Sequence, residues 1–180
     1  MTHVMLDLET MGTAPNAAIL AIGAVKFDPA HHHIEEDSFY RLIDLGSSVG
    51  AGLVMDVDTV LWWLGQSAKA RAELTRESGR VHIRQALQDF SEWYGEERFP
   101  VWGDGAASDN VWMKSAFEAV GLSCPWTYKE DRCFRTMKEL RPTVDVEFKG
   151  AEHRALDDAI YQAERLMAIL DTLPKDHGLH

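Results

Sequence analysis

Two acidic residues, Asp7 and Glu9, stand two positions apart within the largely apolar residues 4–10. Side chains of a β-strand alternate between its two faces, so both carboxylates point to the same side. The other face of this strand then carries Val4, Leu6 and Leu8. Neighbouring buried carboxylates repel each other and take up protons unless a cation lies between them. Because Mg²⁺ and Mn²⁺ prefer oxygen ligands, we predict that Asp7 and Glu9 begin a metal site.

The Asp-x-Glu pattern is a weak signal by itself, as short motifs usually are. The chain contains 29 acidic residues, and the pattern occurs again at residues 145–147. This second copy lies between Pro142 and Gly150 in a charged stretch, which predicts an exposed loop or a short edge segment. A functional site at Asp7 and Glu9 therefore requires further ligands elsewhere in the chain.

The composition is typical of a globular protein, with 46% hydrophobic and 26% charged residues. A length of 180 residues predicts one domain with a substantial core, spanning residues 1–180. No apolar run approaches 18 residues and the first residues do not resemble a signal peptide, so we expect a cytoplasmic protein without a membrane partner. Cys124 and Cys133 have no metal-binding spacing and are expected to be reduced thiols.

The formal net charge of −11 limits the choice of nucleic-acid partners. Proteins that bind long duplexes usually present a basic surface, because contacts with phosphates supply much of the affinity. Bound divalent cations would offset only part of the negative charge. A short single strand or a nucleotide end is therefore the expected nucleic-acid partner.

Hydrophobic periodicity and turn residues predict an alternation of strands and helices. Strands are expected at residues 4–10, 18–27, 38–42, 99–103 and 124–128. Helices are expected from Asp58 or Thr59 to residue 74 and at residues 83–94, 109–120, 131–140 and 152–173. Three adjacent histidines at residues 31–33 are interpreted as solvated loop residues.

Two segments could contact a substrate or serve only structural purposes. Trp62 and Trp63 are adjacent on a predicted helix, so their indoles point about 100° apart and only one fits a core face. The other could stack on a base or pack against a neighbouring element. The densest basic segment, residues 129–141, includes Arg135 and is either a solvated face or a contact for phosphate.

Further potential ligands occur later in the chain. Asp109 follows a predicted strand, and His153 and Asp158 stand at the start of the last helix. Together with Asp7 and Glu9 they suit phosphodiester hydrolysis by two cations about 3.5–4 Å apart. A histidine, which titrates near neutrality, is a natural base for the attacking water. Stabilisation of a helix dipole is the alternative explanation of Asp109.

The order of these motifs resembles the DEDDh (DnaQ-like) 3′–5′ exonuclease superfamily. The similar segments are residues 7–10 (DLET), 19–25 (ILAIGAV), 102–109 (WGDGAASD) and 153–158 (HRALDD). The resemblance extends from residue 4 to about residue 170, and the His-x-Ala-x-x-Asp element is its most specific part.

The resemblance implies an α/β protein with a ribonuclease H-like fold, in which helices flank a mixed five-stranded sheet. It implies two divalent ions, Mg²⁺ or Mn²⁺. Asp7 would contact both ions, Glu9 and Asp158 would help to hold the catalytic one, and Asp109 would serve the second. His153 would deprotonate the attacking water.

The resemblance also suggests substrate contacts and contains departures. Thr10 and the backbone after Glu9, which includes Met11, would hold the terminal sugar. Gly105 stands where many relatives have asparagine, and glycine has no side chain to make the sugar or phosphate contact of that asparagine. Asp157 competes with Asp158 for the role of fourth acid, and only the family spacing favours Asp158.

Within the superfamily, residues 59–63 and 135–137 resemble small bacterial and phage exoribonucleases related to oligoribonuclease and ribonuclease T. We therefore predict a metal-dependent 3′–5′ exoribonuclease that releases 5′-mononucleotides from single-stranded or short RNA, with Trp62 and Arg135 as substrate contacts. A 3′–5′ exodeoxyribonuclease of the proofreading or repair type, acting on DNA 3′ ends, is the alternative. A catalytically silent nucleic-acid-binding module and a non-nucleolytic metal-binding protein are less well supported. The family also suggests a homodimer.

Overall fold

A computed structural model describes residues 1–76 and 78–174. Its strands are β1 (His3–Thr10), β2 (Ile19–Asp28), β3 (His33–Ile34), β4 (Phe39–Ile43), β5 (Arg80–Val81), β6 (Val101–Gly103) and β7 (Asp131–Cys133). Its helices are α1 (Leu45–Gly50), α2 (Val57–Gly65), α3 (Ala68–Thr75), α4 (Ile83–Tyr94), α5 (Asp109–Ala119), α6 (Phe134–Leu140) and α7 (Ala155–Asp171).

The strands form one mixed sheet in the order β5-β4-β2-β1-β6-β7, with β3 paired to β2. Strand β1 pairs antiparallel with β2 and parallel with β6, so it lies near the middle of the sheet. The prediction of a mixed sheet flanked by helices is confirmed. The predicted count of five strands omitted β3 and β5, which are only two residues long and carry too little pattern to be recognised in the sequence.

The alternation predicted for β1 places its side chains in two separate cores. Val4, Leu6 and Leu8 belong to the larger core, which also includes residues of α4 and α5. Met5 belongs to the second core, on the opposite face of the sheet, which α7 covers. Asp7 and Glu9 share the face of Met5, so the acidic pair is directed towards α7.

Several predicted elements differ in the structure. The helix predicted to residue 74 is divided, because Gln66 ends α2 and the Ser67 side chain begins α3 by accepting a hydrogen bond from Ala70 N–H at 3.2 Å. Residues 124–128 do not form a strand, since Thr127 bonds back to the Glu130 carboxylate in a tight turn. The strand follows at Asp131–Cys133, where the predicted helix was expected to begin.

The last helix begins at Ala155 and not at residue 152. His153 precedes it with a positive φ of 61°, a backbone conformation outside the helical region. The second Asp-x-Glu copy, residues 145–147, lies in an irregular segment with both acids exposed, as predicted. No helix among residues 1–76 and 78–174 is long and apolar enough to cross a membrane.

Candidate active site

Three carboxylates converge at the end of β1. One oxygen from each of Asp7, Glu9 and Asp158 lies within 4.8 Å of the other two. Asp7 and Glu9 are two positions apart on one strand face, whereas Asp158 comes from the first turns of α7. Three all-oxygen donors at this separation fit a divalent cation such as Mg²⁺ or Mn²⁺.

A glycine of β2 allows α7 to bring Asp158 this close. Gly23 is paired with Asp7, and a Cβ at Gly23 would lie 2.2 Å from the carbonyl carbon of Ala155. Real Cβ atoms do not approach backbone atoms so closely, so any side chain at position 23 would displace the start of α7. Asp157 points elsewhere, since its carboxylate accepts hydrogen bonds from Ala151 N–H at 2.9 Å and from the Arg154 guanidinium at 2.5 Å.

Asp109 lies at the start of α5, where its side chain contacts the backbone of β1. The residue is 4% exposed, and its Oδ1 accepts a hydrogen bond from Leu8 N–H at 3.2 Å. Gly103 makes room for it, because a Cβ at Gly103 would lie 2.9 Å from Asp109 Cβ. Asp109 is not one of the three converging acids, but its negative charge raises the pKa of Asp7.

Burial and mutual repulsion raise the pKa values of the acids. The pKa of Asp7 is raised well above its ordinary value by desolvation, and then by the charges of Asp109, Glu9 and Asp158. Desolvation raises the pKa of Asp109 to about 7 and that of Asp158 to about 6. Carboxyl groups held in this way bind protons or cations near neutral pH, which favours a metal site.

His153 is adjacent to the acids and is held by aromatic rings. Its imidazole centroid lies 5.1 Å from that of Trp62 and 5.9 Å from that of Trp63, edge-on in both cases. The Asp158 carboxylate accepts a hydrogen bond from the backbone of His153. Trp63 is buried and donates from Nε1 to the carbonyl of Thr10 at 2.9 Å. The prediction that only one of the two indoles belongs to the core is confirmed, and Trp62, at 47% exposed, is not buried against a neighbouring element.

A groove of about 800 Å³ opens beside this cluster. Its lining includes Glu9, Thr10, Trp62, Trp63 and Trp112. The Thr10 hydroxyl donates to the carbonyl of Gly12 at 2.8 Å, which stabilises the turn at the edge of the groove. The groove thus combines carboxylates, a hydroxyl and an accessible indole.

Two predicted substrate contacts lie outside the groove lining. The Met11 side chain is buried in the larger core, and both its backbone polar groups bond within the chain, to Ala18 and Asp56. Arg135 lies on α6, where its guanidinium donates to the carbonyl of Asp104 at 2.6 Å.

One residue of the site was not recognised in the sequence. Gln162 of α7 donates from Nε2 to Asp7 Oδ1 at 2.7 Å. It follows Asp158 by four residues and therefore lies on the same helix face, which is the sequence signal that could have identified it.

Comparison with known proteins identifies the family. A model of the 3′–5′ exoribonuclease Rv2179c-like domain matches residues 2–170. The chain belongs to this family. The predicted membership of the DnaQ-like 3′–5′ exonuclease superfamily is therefore confirmed, and the chain carries a domain of the exonuclease type.

One curated relative and several solved structures are also similar. The exodeoxyribonuclease of Enterobacteria phage T4 is 24% identical over 109 residues, which are 57% of this chain and 47% of that protein. The chain therefore aligns with about half the length of this relative.

Among solved structures, E. coli Exonuclease I in complex with a dT13 oligonucleotide has a TM-score of 0.67 at 13% identity, covering 96% of this chain and 41% of that one. A 3′-exonuclease that recognises the histone mRNA stem-loop has a TM-score of 0.57 at 11% identity, with 94% and 81% covered. Cell-death related nuclease 4 has a TM-score of 0.55 at 15% identity, with 94% and 64% covered. At these identities the likeness shows the fold.

Proposed function

We propose that this chain is a metal-dependent 3′–5′ exoribonuclease that releases 5′-mononucleotides from single-stranded or short RNA. The observation that carries the proposal is the convergence of Asp7, Glu9 and Asp158 within 4.8 Å at the edge of an open groove. The family description supports RNA as the substrate. Residues 1–180 would act as one exonuclease domain, and its cytoplasmic location stays a prediction.

The four acids would hold two divalent ions, Mg²⁺ or Mn²⁺. Asp7, Glu9 and Asp158 would hold the first, and Asp109, whose charge acts on Asp7, would serve the second with Asp7. When bound, such ions stabilise negative charge on phosphate oxygens and promote ionisation of water. The raised pKa values of Asp7, Asp109 and Asp158 support this assignment, because the acids otherwise compensate their charge by taking up protons.

His153 would accept the proton of the attacking water. Its ring is held against Trp62 and Trp63 and its backbone against Asp158, so little rearrangement is required to orient the imidazole. General base catalysis of this kind contributes roughly 10²–10⁴-fold to a rate. The carboxylates bind and orient the phosphate through the cations, and His153 handles the proton.

Substrate contacts are expected along the groove. Thr10 and the exposed indole of Trp62 would hold the terminal sugar and base, since aromatic side chains stack on bases of any sequence. The groove also contains Asp56 and Asp58, and this negative charge supports a short substrate. Substrate contacts of Met11 and Arg135 stay predictions, and neither residue lines the groove.

The test uses 5′-labelled RNA and DNA of the same sequence, with Mg²⁺, Mn²⁺ or EDTA, beside the variant Asp158→Asn. We expect RNA to shorten from its 3′ end, with no shortening in EDTA or in the variant. Shortening of DNA alone would assign the chain to exodeoxyribonucleases. Absence of shortening with either substrate, for folded protein with metal present, would contradict the proposal.

A 3′–5′ exodeoxyribonuclease is the second candidate, and two observations favour it. The curated relative from phage T4 is named an exodeoxyribonuclease. Exonuclease I, which has the highest TM-score of the three structures given above, is complexed with a DNA oligonucleotide. Discrimination depends on contacts with the 2′-hydroxyl of the sugar, so the paired RNA and DNA assay separates the two candidates.

We also propose a homodimer formed through the outer face of α2. Its apolar side chains Val57, Leu61 and Leu64 are between 57% and 74% exposed, and Met55 beside them is 43% exposed. Apolar patches of this kind commonly mark protein interfaces. A monodisperse 20.3 kDa species in light scattering would contradict the dimer, whereas Leu61→Glu is expected to convert a dimer to that species.

A further inference from the structure

Gln162 stands out on the otherwise apolar inner face of α7. The neighbouring core positions of this helix are small or aliphatic, including Ala159, Ala163 and Leu166, all fully buried. Gln162 is only 7% exposed, and its side chain crosses to β1, where Nε2 donates to Asp7 Oδ1 at 2.7 Å. A buried amide among aliphatic residues costs free energy unless both ends are paired.

Only one end of this amide is paired within the part of the chain that the structure describes. Gln162 Oε1 is buried and has no hydrogen-bond partner there. The orientation of the amide is determined by Asp7, because a carboxylate oxygen accepts hydrogen bonds and so must face the NH₂ group. The carbonyl oxygen, bonded to the same carbon, therefore remains close to the three converging acids with its lone pairs free.

We propose that Gln162 is a positioning residue of the metal centre that orients Asp7 and raises the affinity for the cation. By donating to Oδ1, the amide holds the Asp7 carboxylate in one rotation and leaves Oδ2 without a contact to Gln162. The free Oε1 would be available to accept a hydrogen bond from water bound to the cation. Outer-shell partners of this type orient metal ligands, and their loss commonly weakens metal affinity 10–100-fold.

This inference rests on the proposed metal-dependent function, and its test reads out metal binding directly. Mn²⁺ affinity is measured by calorimetry for the wild type and Gln162→Met, and melting of both proteins is measured in EDTA. Methionine keeps the volume of the side chain but removes both the donor and the unpaired acceptor. We expect Mn²⁺ to bind at least 10-fold more weakly, while the melting temperature in EDTA stays equal or rises.

The chain offers a matched control on α4. Gln85 Nε2 also donates to an aspartate oxygen, Asp89 Oδ1, at the same 2.7 Å, but on the surface and away from the acids. Gln85→Met therefore makes the same chemical change and is expected to leave Mn²⁺ affinity unchanged. At saturating Mn²⁺, Gln162→Met should also keep the KM for the oligonucleotide, because Gln162 does not line the groove.

The outcomes separate three explanations. Wild-type protein that binds no Mn²⁺ would contradict the proposed function itself. Wild-type binding with Mn²⁺ affinity of Gln162→Met within twofold would overturn only the role of Gln162. If Gln162→Met melts at a lower temperature in EDTA or fails to fold, Gln162→Asn decides, because its shorter side chain cannot reach Asp7. Normal Mn²⁺ affinity of a folded Gln162→Asn protein would overturn the positioning role in favour of a structural one. Weak Mn²⁺ binding by Gln162→Asn, with normal melting in EDTA, would support the positioning role.

Discussion

Replacing Asp109 by asparagine should stabilise the metal-free protein at alkaline pH. Asparagine keeps the acceptor for Leu8 N–H but removes a buried negative charge beside Asp7. Desolvation raises the pKa of Asp109 from 3.8 to about 7. Each pKa unit corresponds to 1.36 kcal/mol, so the ionised carboxylate costs roughly 4 kcal/mol in the folded state above pH 7. Because Asp7 shares in the repulsion, we expect Asp109→Asn to recover about 2–4 kcal/mol.

The sign of the pH dependence follows from the direction of this change. The folded protein binds a proton at Asp109 more tightly than the unfolded chain does, so the wild type loses stability as pH rises from about 4 through 7. Asp109→Asn lacks this loss. The stability difference between variant and wild type should therefore be largest at pH 8 and roughly half as large at pH 5.5, which lies midway between the two pKa values.

The assay is thermal and urea unfolding at both pH values, in EDTA and in excess Mg²⁺. A gain of 2–4 kcal/mol corresponds to a rise in melting temperature of very roughly 4–16 °C for a domain of this size. In excess Mg²⁺ the difference in melting temperature between Asp109→Asn and the wild type should shrink or reverse, since a cation that binds the carboxylates stabilises the wild type. Asp157→Asn is the control. The Asp157 carboxylate pairs with Arg154, so this variant should be less stable than the wild type. An Asp109→Asn protein that melts below the wild type at pH 8 in EDTA would refute the reasoning.

Three further predictions concern the other parts of the site. Asp158→Asn should abolish nuclease activity and weaken Mn²⁺ binding, while Asp157→Asn retains both; equal losses in a cleavage assay would contradict the assignment of the fourth acid. Gly23→Ala should lower the stability by about 1–3 kcal/mol and weaken Mn²⁺ binding, because the new Cβ displaces α7. The control Gly50→Ala, with nothing within 4 Å of the added Cβ, should do neither, and urea melts with Mn²⁺ titrations compare the two. Trp62→Ala should raise the KM for oligonucleotides about 5–150-fold, as expected from the loss of roughly 1–3 kcal/mol of base stacking; a fall in kcat alone would show that Trp62 acts through His153.

Much of the scaffold could be predicted from local patterns. The alternation of residues 4–10 identified β1 and the face of its acids, and helix α4 has the predicted bounds Ile83–Tyr94. Strands of only two or three residues could not be predicted from local patterns. Strands β3 and β5 are too short for a period, and β7 exists because residues 131–133 pair with β6, a contact distant in sequence.

The amino-acid sequence by itself determined the chemical inventory of the protein. A strand with two acids on one face, a third acid at a helix start and the His-x-Ala-x-x-Asp element are all local features. They suffice to identify the superfamily, since residue type and spacing within one element do not depend on the rest of the fold.

Tertiary structure decided which of these residues meet. The helical period left Asp157 and Asp158 undecided, and the close packing of α7 against Gly23 directs Asp158 to the acids of β1. The contact of Gln162 with Asp7 joins residues 155 positions apart. Such contacts depend on how helices and strands pack together. The pattern within one segment contains no information about how closely a neighbouring helix packs on the sheet.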